Sequence, residues 1–304
     1  MKIRSILALT DFSVDADRAV RRAARLAADH GAELRLLHLC SGAPAPSGDP
    51  LARLQRRARR LARQHGFAVD VVADAAASVD DVARHRERAD LIVLHDGRRS
   101  LPWPLRGRRL TERLADRTGL PVLAVGPSSP LPYARVTVGV DLRSGSAALL
   151  EQACRFRAGT RIEALHMLGT LRALGLRFLM SAPHVRNARL REARRQALHA
   201  LQRLAAQANA RDGRVVPAIG FGAVTSGILA RQSEVQASLT VVGAGRRAWI
   251  ASLPFGSVAG NLLDAATGDV LLVPEPTERG RRLAPAHAGP AARVAPAAAA
   301  ANTG

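Results

Sequence analysis

Short runs of consecutive apolar residues alternate along this chain with longer segments whose apolar positions recur every three or four residues. Residues 3–9 form the first run and read as a buried strand, ending in the turn Thr10-Asp11-Phe12-Ser13. Between 15 and 30, Ala19, Val20, Ala23, Leu26 and Ala27 share one helical face, and Gly31 supplies the stop. Further strands are predicted at 34–39, 68–73, 90–94 and 121–125, with helices at 50–64, 79–88 and near 110–117. Residues 126–132 read as a linker, after which the pattern restarts. Strands are predicted again at 135–140, 161–167, 214–219, 239–242 and 270–273, and helices at 146–156, 188–210 and 258–266. Apolar strands separated by amphipathic helices imply parallel sheets covered on both faces, an α/β fold.

The second stretch repeats the first. Asp141 comes 130 positions after Asp11, and Leu165-His166-Met167 comes 128 after Leu37-His38-Leu39. Gly243, Gly256 and Asp269 come after His95, Arg108 and Pro121, each by 148. Most of the extra length falls in the longer helix before the third strand of the second copy. Such consistent offsets imply two domains, 1–127 and 133–275. Residues 276–304 are Pro, Ala, Gly and Arg without periodicity, and predict a disordered tail with nothing to pack.

Candidate chemistry lies after the fourth strand of each copy. In the second, Val241-Val242-Gly243-Ala244-Gly245-Arg246 runs through Trp249 to Gly256-Ser257 and a helix start at Val258. Glycines admit an anion close to the backbone, and the first N–H groups of a helix point at it. The first copy has His95, Arg98, Arg108 and Arg109 at the matching places, with no glycine and no hydroxyl.

Composition changes this picture little. A formal charge of +20 invites nucleic acid, but Lys2 is the single lysine among 45 cationic residues, so 44 are arginines. They are spread over nearly every predicted helix, which argues against a specific nucleic-acid face and leaves weak nonspecific binding at low salt. Apolar residues are 47% and aromatics 3%, so the cores must be aliphatic. No apolar run is long enough to span a membrane and no signal-peptide pattern is present, so a cytoplasmic location is expected. Cys40 and Cys154 are lone and flanked by apolar residues, and read as buried free thiols.

Leu9-Thr10-Asp11-Phe12-Ser13, the paired Leu37-His38 and Leu165-His166, Ala89-Asp90-Leu91-Ile92-Val93 and Pro121-Val122-Leu123-Ala124-Val125 together resemble the universal stress protein family in its tandem form. The resemblance implies two five-stranded parallel open sheets of order 3-2-1-4-5 with helices on both faces, adenine nucleotide alpha hydrolase-like. The family's nucleotide-binding branch carries a loop G-x2-G-x9-G-[ST], whose register here is Gly243, Arg246, Gly256 and Ser257, with Gly245 one position before Arg246. By that resemblance the second domain would bind ATP or a related adenine nucleotide, with Mg or Mn. The site would comprise Gly139, Val140, Asp141, Met167, Val242, Gly243, Gly245, Arg246, Gly256, Ser257 and Val258. The resemblance also implies pairing through last strands, as an intramolecular pseudo-dimer or a homodimer. The first domain would serve as scaffold or as the partner of the second.

Other readings stay open for several of these residues. Asp141 suits a helix cap as well as a ligand contact. His38 and His166 lie in apolar strands and read as packed. Trp103 and Trp249 suit packing as well as stacking on a base. The arginines at 98, 106, 108 and 109 read as a solvated basic loop. No residue pair is placed to activate a nucleophile, and neither a Walker loop nor metal-ligand spacing occurs. A scaffold working through protein contacts is the alternative to a nucleotide binder.

Overall fold

The computed structural model describes residues 2–40, 49–97, 109–127, 132–142, 145–156, 160–169, 182–212, 215–244, 257–274 and 293–294. The first half runs β1 (Ser5–Thr10), α1 (Val14–His30), β2 (Glu33–His38), α2 (Pro50–His65), β3 (Val69–Val71), α3 (Val79–Ala83), β4 (Leu91–Leu94), α4 (Leu110–Thr118) and β5 (Val122–Ala124). The second runs β6 (Arg135–Gly139), α5 (Ser146–Cys154), β7 (Arg161–Leu168), α6 (Pro183–Asp212), β8 (Val215–Phe221), α7 (Val224–Glu234), β9 (Leu239–Gly243), α8 (Val258–Ala265) and β10 (Asp269–Val273). Local signals explain the ends. Ser13 caps α1 by accepting from the Ala16 N–H at 3.1 Å, and Gly31 closes it in the left-handed conformation at φ 63°.

Two helices depart from the sequence pattern. The segment 79–88 breaks into α3 and a separate 3₁₀ turn, Arg86–Arg88. The other, α7, has no counterpart among the predicted elements. Its Thr225, Ser226 and Gly227 weaken the helical pattern, and packing forms the helix instead. The Met167 side chain fills the space where Gly220 and Gly227 have no Cβ.

Each half has the order 3-2-1-4-5, all parallel. The two expected sheets join into one by the pairing of last strands that the resemblance implies: β5 pairs antiparallel with β10, aligning Leu123 with Leu271. Helices α1, α2, α5 and α6 cover one face, and α3, α4, α7 and α8 the other. Beyond β3, a short strand β11 (Arg293–Val294) pairs antiparallel with Val69 and Asp70, within the segment expected to be a structureless tail. The rest of that tail lies outside the described residues.

A buried polar cluster ties the halves together beside this joint. Asp269 is fully buried and accepts from Tyr133 Oη, from the Gly126 N–H at 3.0 Å and from Arg22 Nε at 3.2 Å. Burial next to this carboxylate holds the Tyr133 phenol well above its ordinary pKa. Arg22 belongs to the first half, and Asp269 and Tyr133 to the second. Cys40 is exposed rather than buried, because it lies just past β2 where the chain leaves the sheet. Cys154, at the end of α5, is half-buried. Among the described residues no helix is long and apolar enough to cross a membrane.

Candidate functional site

An open α/β sheet leaves a crevice at the carboxyl ends of its strands where the connections part to opposite sides. Here there are two such places, between β1 and β4 and between β6 and β9. The chain leaves β1 and β6 by the same turn. Phe12 and Leu142 both adopt the left-handed conformation, at φ 63° and 62°, which costs a non-glycine residue about 1–3 kcal/mol. In the first half this turn is fixed by Thr10 Oγ1, which accepts from the Phe12 N–H at 3.1 Å, and by Asp11 Oδ1, which accepts from the Ser13 N–H at 2.9 Å.

The first-half crevice is lined by its own side chains. The Phe12 ring lies 4.8 Å from the His38 ring, and the Arg53 guanidinium stands over Phe12, 4.3 Å from the ring centroid. At the far wall His95 Nδ1 lies 3.2 Å from the Val125 carbonyl oxygen. Arg109, expected in a solvated loop, is instead 3% exposed directly ahead of α4. Its guanidinium donates to Asp96 Oδ2 at 3.3 Å, to the carbonyls of Asp96 and Gly97, and to Asp264 of the second half. The same Asp96 oxygen accepts from Thr111 Oγ1 at 2.6 Å. Where an anion would meet a helix start, this half places a buried cation already bound to carboxylates. Arg98, Arg106, Arg108 and Trp103 lie outside the described residues.

In the second half the sequence-selected residues divide into two groups. Val140, Met167, Val242 and Val258 are buried core positions. Gly139 serves packing too, since a Cβ there would stand 3.0 Å from Ile228 Cδ1 and 3.2 Å from Val242 Cγ1. Asp141, Gly243 and Ser257 are half-buried at the rim. Asp141 Oδ1 accepts from Ser146 Oγ at 3.2 Å, while the cap position of α5 is Gly145. The His166 ring, half-buried rather than packed away, places Nδ1 2.9 Å from the Val140 carbonyl oxygen. Gly243 ends β9 in register with Val273. Gly245, Arg246, Gly256 and Trp249 lie outside the described residues.

Ser257 heads α8 as Arg109 heads α4, 148 positions earlier. Ser257 Oγ accepts from the Gly260 N–H at 2.9 Å and donates to Glu112 Oε1 of the first half at 2.5 Å. The other oxygen of Glu112 accepts from the Arg109 N–H at 3.0 Å. Two contacts thus cross between the halves at these helix starts, Arg109 to Asp264 and Glu112 to Ser257. Sequence reasoning missed Asp96, Glu112 and Asp264. The spacing of Arg109 and Glu112 is that of a capping box, a signal for the local contact but not for one 145 residues away.

The universal stress protein family model matches residues 2–126 and 132–274. Among solved structures, a universal stress protein from Archaeoglobus fulgidus DSM 4304 aligns with a TM-score of 0.63 at 14% identity, over 89% of this chain and 96% of that one. A protein of unknown function from Pseudomonas aeruginosa PAO1 aligns at 0.60 and 20% identity, over 90% and 93%. One described as a putative universal stress protein from Pseudomonas aeruginosa UCBPP-PA14 aligns at 0.57 and 20%, over 90% and 94%. At these identities the likeness is one of fold. No curated protein matches. With two copies of the family's domain covering nearly all of the described sheet, the chain belongs to the universal stress protein family.

Proposed function

We propose that this chain is a cytoplasmic stress-response protein of the binding and regulatory kind, and that its second half takes ATP or a related adenine nucleotide. One observation carries the restriction to that half. At equivalent helix starts the first half has a buried arginine bound to carboxylates, and the second has a serine hydroxyl at the crevice rim. An arginine side chain there fills the space an anion needs, whereas a small hydroxyl does not, and what an anion meets in the second half is the Glu112 carboxylate that this hydroxyl donates to. Asp141 would meet the sugar side, and Gly243 and Ser257 the phosphate side. These assignments rest on the family's loop register and on the shared position at the sheet's switch point.

The test is calorimetric titration of adenosine, AMP and ATP into the wild type and into Ser257→Arg, which copies the first half. Binding by the wild type that the variant loses is the expected result. No adenine ligand bound by the wild type sinks the reading. A scaffold without nucleotide is the second reading, favoured by one contact: the Ser257 hydroxyl is already engaged by Glu112. Adenine nucleotide released from the purified, denatured protein and detected by mass spectrometry would exclude it.

A further inference from the structure

We infer that Glu112, a first-half residue, sets which adenine ligand the second half accepts. Its carboxylate takes the anion seat at the start of α8, so the site prefers adenosine and ligands of low phosphate charge over ATP. The inference rests on the second half being an adenine site, and four features carry it.

The first is the hydrogen-bonding capacity of Ser257. A serine hydroxyl has one proton to give. Here it goes to Glu112 Oε1 at 2.5 Å, and an oxygen lone pair receives the Gly260 N–H at 2.9 Å. A phosphate oxygen can accept from this hydroxyl only if Glu112 gives up its place.

The second is where the carboxylate lies. A Cβ on Gly260 would stand 3.5 Å from Glu112 Oε2 and 3.7 Å from Oε1, so both oxygens face the first turn of α8. That is the end of a helix at which negative charge is stabilised. Glu112 is held there, 5% exposed on α4, with Oε2 receiving the Arg109 N–H.

The third is the local charge balance. Among the described residues the Arg109 guanidinium is engaged by Asp96 and Asp264, while Glu112 accepts from the Arg109 backbone N–H and not from its side chain. Each phosphate added to a ligand would bring further negative charge toward a carboxylate in a water-poor setting, where like charges repel strongly. The fourth is direction. The position equivalent to Glu112 in the second half is Gly260, which has no side chain to return the contact.

The test compares adenosine, AMP and ATP on the wild type and on Glu112→Gln, which keeps the shape of the side chain and an oxygen to accept from Ser257. The wild type should bind adenosine more tightly than ATP. Glu112→Gln should raise ATP affinity about tenfold or more while moving adenosine affinity by less than about threefold. Thermal melting confirms that the variant is folded. Ser257→Ala serves as a second variant: with the carboxylate still in place, the preference for adenosine should persist. If adenosine binds but Glu112→Gln leaves the ratio of the two affinities unchanged, the inference fails and the adenine reading stands. If no adenine ligand binds to either protein, the adenine reading fails and takes this inference with it.

Discussion

The two halves share strand order, the left-handed residue after their first strands and the place of their crevices, yet they differ at equivalent positions near the joint. Arg109 stands where the other half has Ser257, Glu112 where it has Gly260, and Pro121 where it has Asp269. In each pair one member reaches across to the other half and its counterpart cannot do so in the same way. A duplicated domain whose copies pair symmetrically would use each contact twice. Here each is used once, with Arg109 reaching Asp264, Glu112 reaching Ser257 and Asp269 held to Arg22. Asymmetry lets one copy specialise in holding the assembly while the other keeps an approachable rim.

The largest effect is expected where burial is complete. Asp269 has no exposed surface, and its loss removes the carboxylate that pairs with the Arg22 guanidinium, itself 7% exposed. Asp269→Ala should cost about 3–5 kcal/mol, the usual penalty for leaving a buried charge without its partner. Urea unfolding measures it. A loss below about 1 kcal/mol would mean that the joint is held by strand pairing alone and that the buried cluster is incidental.

Arg109→Ser makes the first half resemble the second, and comes next in size. It leaves Asp96 without its cation but with Thr111 still donating, and Asp264 is partly open to water. A cost of about 2–3 kcal/mol is therefore expected, below the full buried-pair penalty. Adding Asp264→Asn should recover part of it, since the two residues touch and their effects are not additive. Strict additivity in the double-mutant cycle would show that the contact across the halves contributes nothing.

Much of the fold is legible in the sequence because its signals are local. Apolar runs, helical spacing and the Gly31 stop are decided within a few residues, the repeat offsets then give the two domains, and the strand order is what the family resemblance implies. The fusion of two sheets into one is implied by the resemblance, which pairs last strands, and not by the residues themselves, since nothing in 122–124 or 269–273 marks which strand edge each will meet. The site is legible in part. The loop register finds Ser257 and the repeat offset finds Asp141, but glycine spacing cannot show that Gly139 serves Ile228 or that Met167 fills the gap left by two glycines. Arg109 escapes a sequence reading because its carboxylate partners include Asp264, 155 residues away, and an arginine-rich loop reads as solvated until those partners are seen.

The smallest effect concerns His38, the last residue of β2, set against its second-half counterpart His166 in β7. His166 Nδ1 sits 2.9 Å from a carbonyl oxygen, whereas His38 Nδ1 is buried with no hydrogen-bond partner among the described residues. Burial holds the His38 pKa below its ordinary 6.5, with Asp11 opposing the shift and Arg53 adding to it. The unfolded chain therefore takes up this proton at a higher pH than the folded one. The stability at stake is fully present above about pH 6.5 and drains away as the pH falls toward the folded value. Burial lowers His30 and His85 in the same direction, so His38 accounts for only part of the acid slope. His38→Gln, which cannot titrate, should show a shallower fall in melting temperature than the wild type between about pH 7 and pH 5. Parallel curves would mean that this histidine takes its proton equally well in the folded crevice, and that the Arg53, Phe12 and His38 stack is open enough to water to solvate the charge.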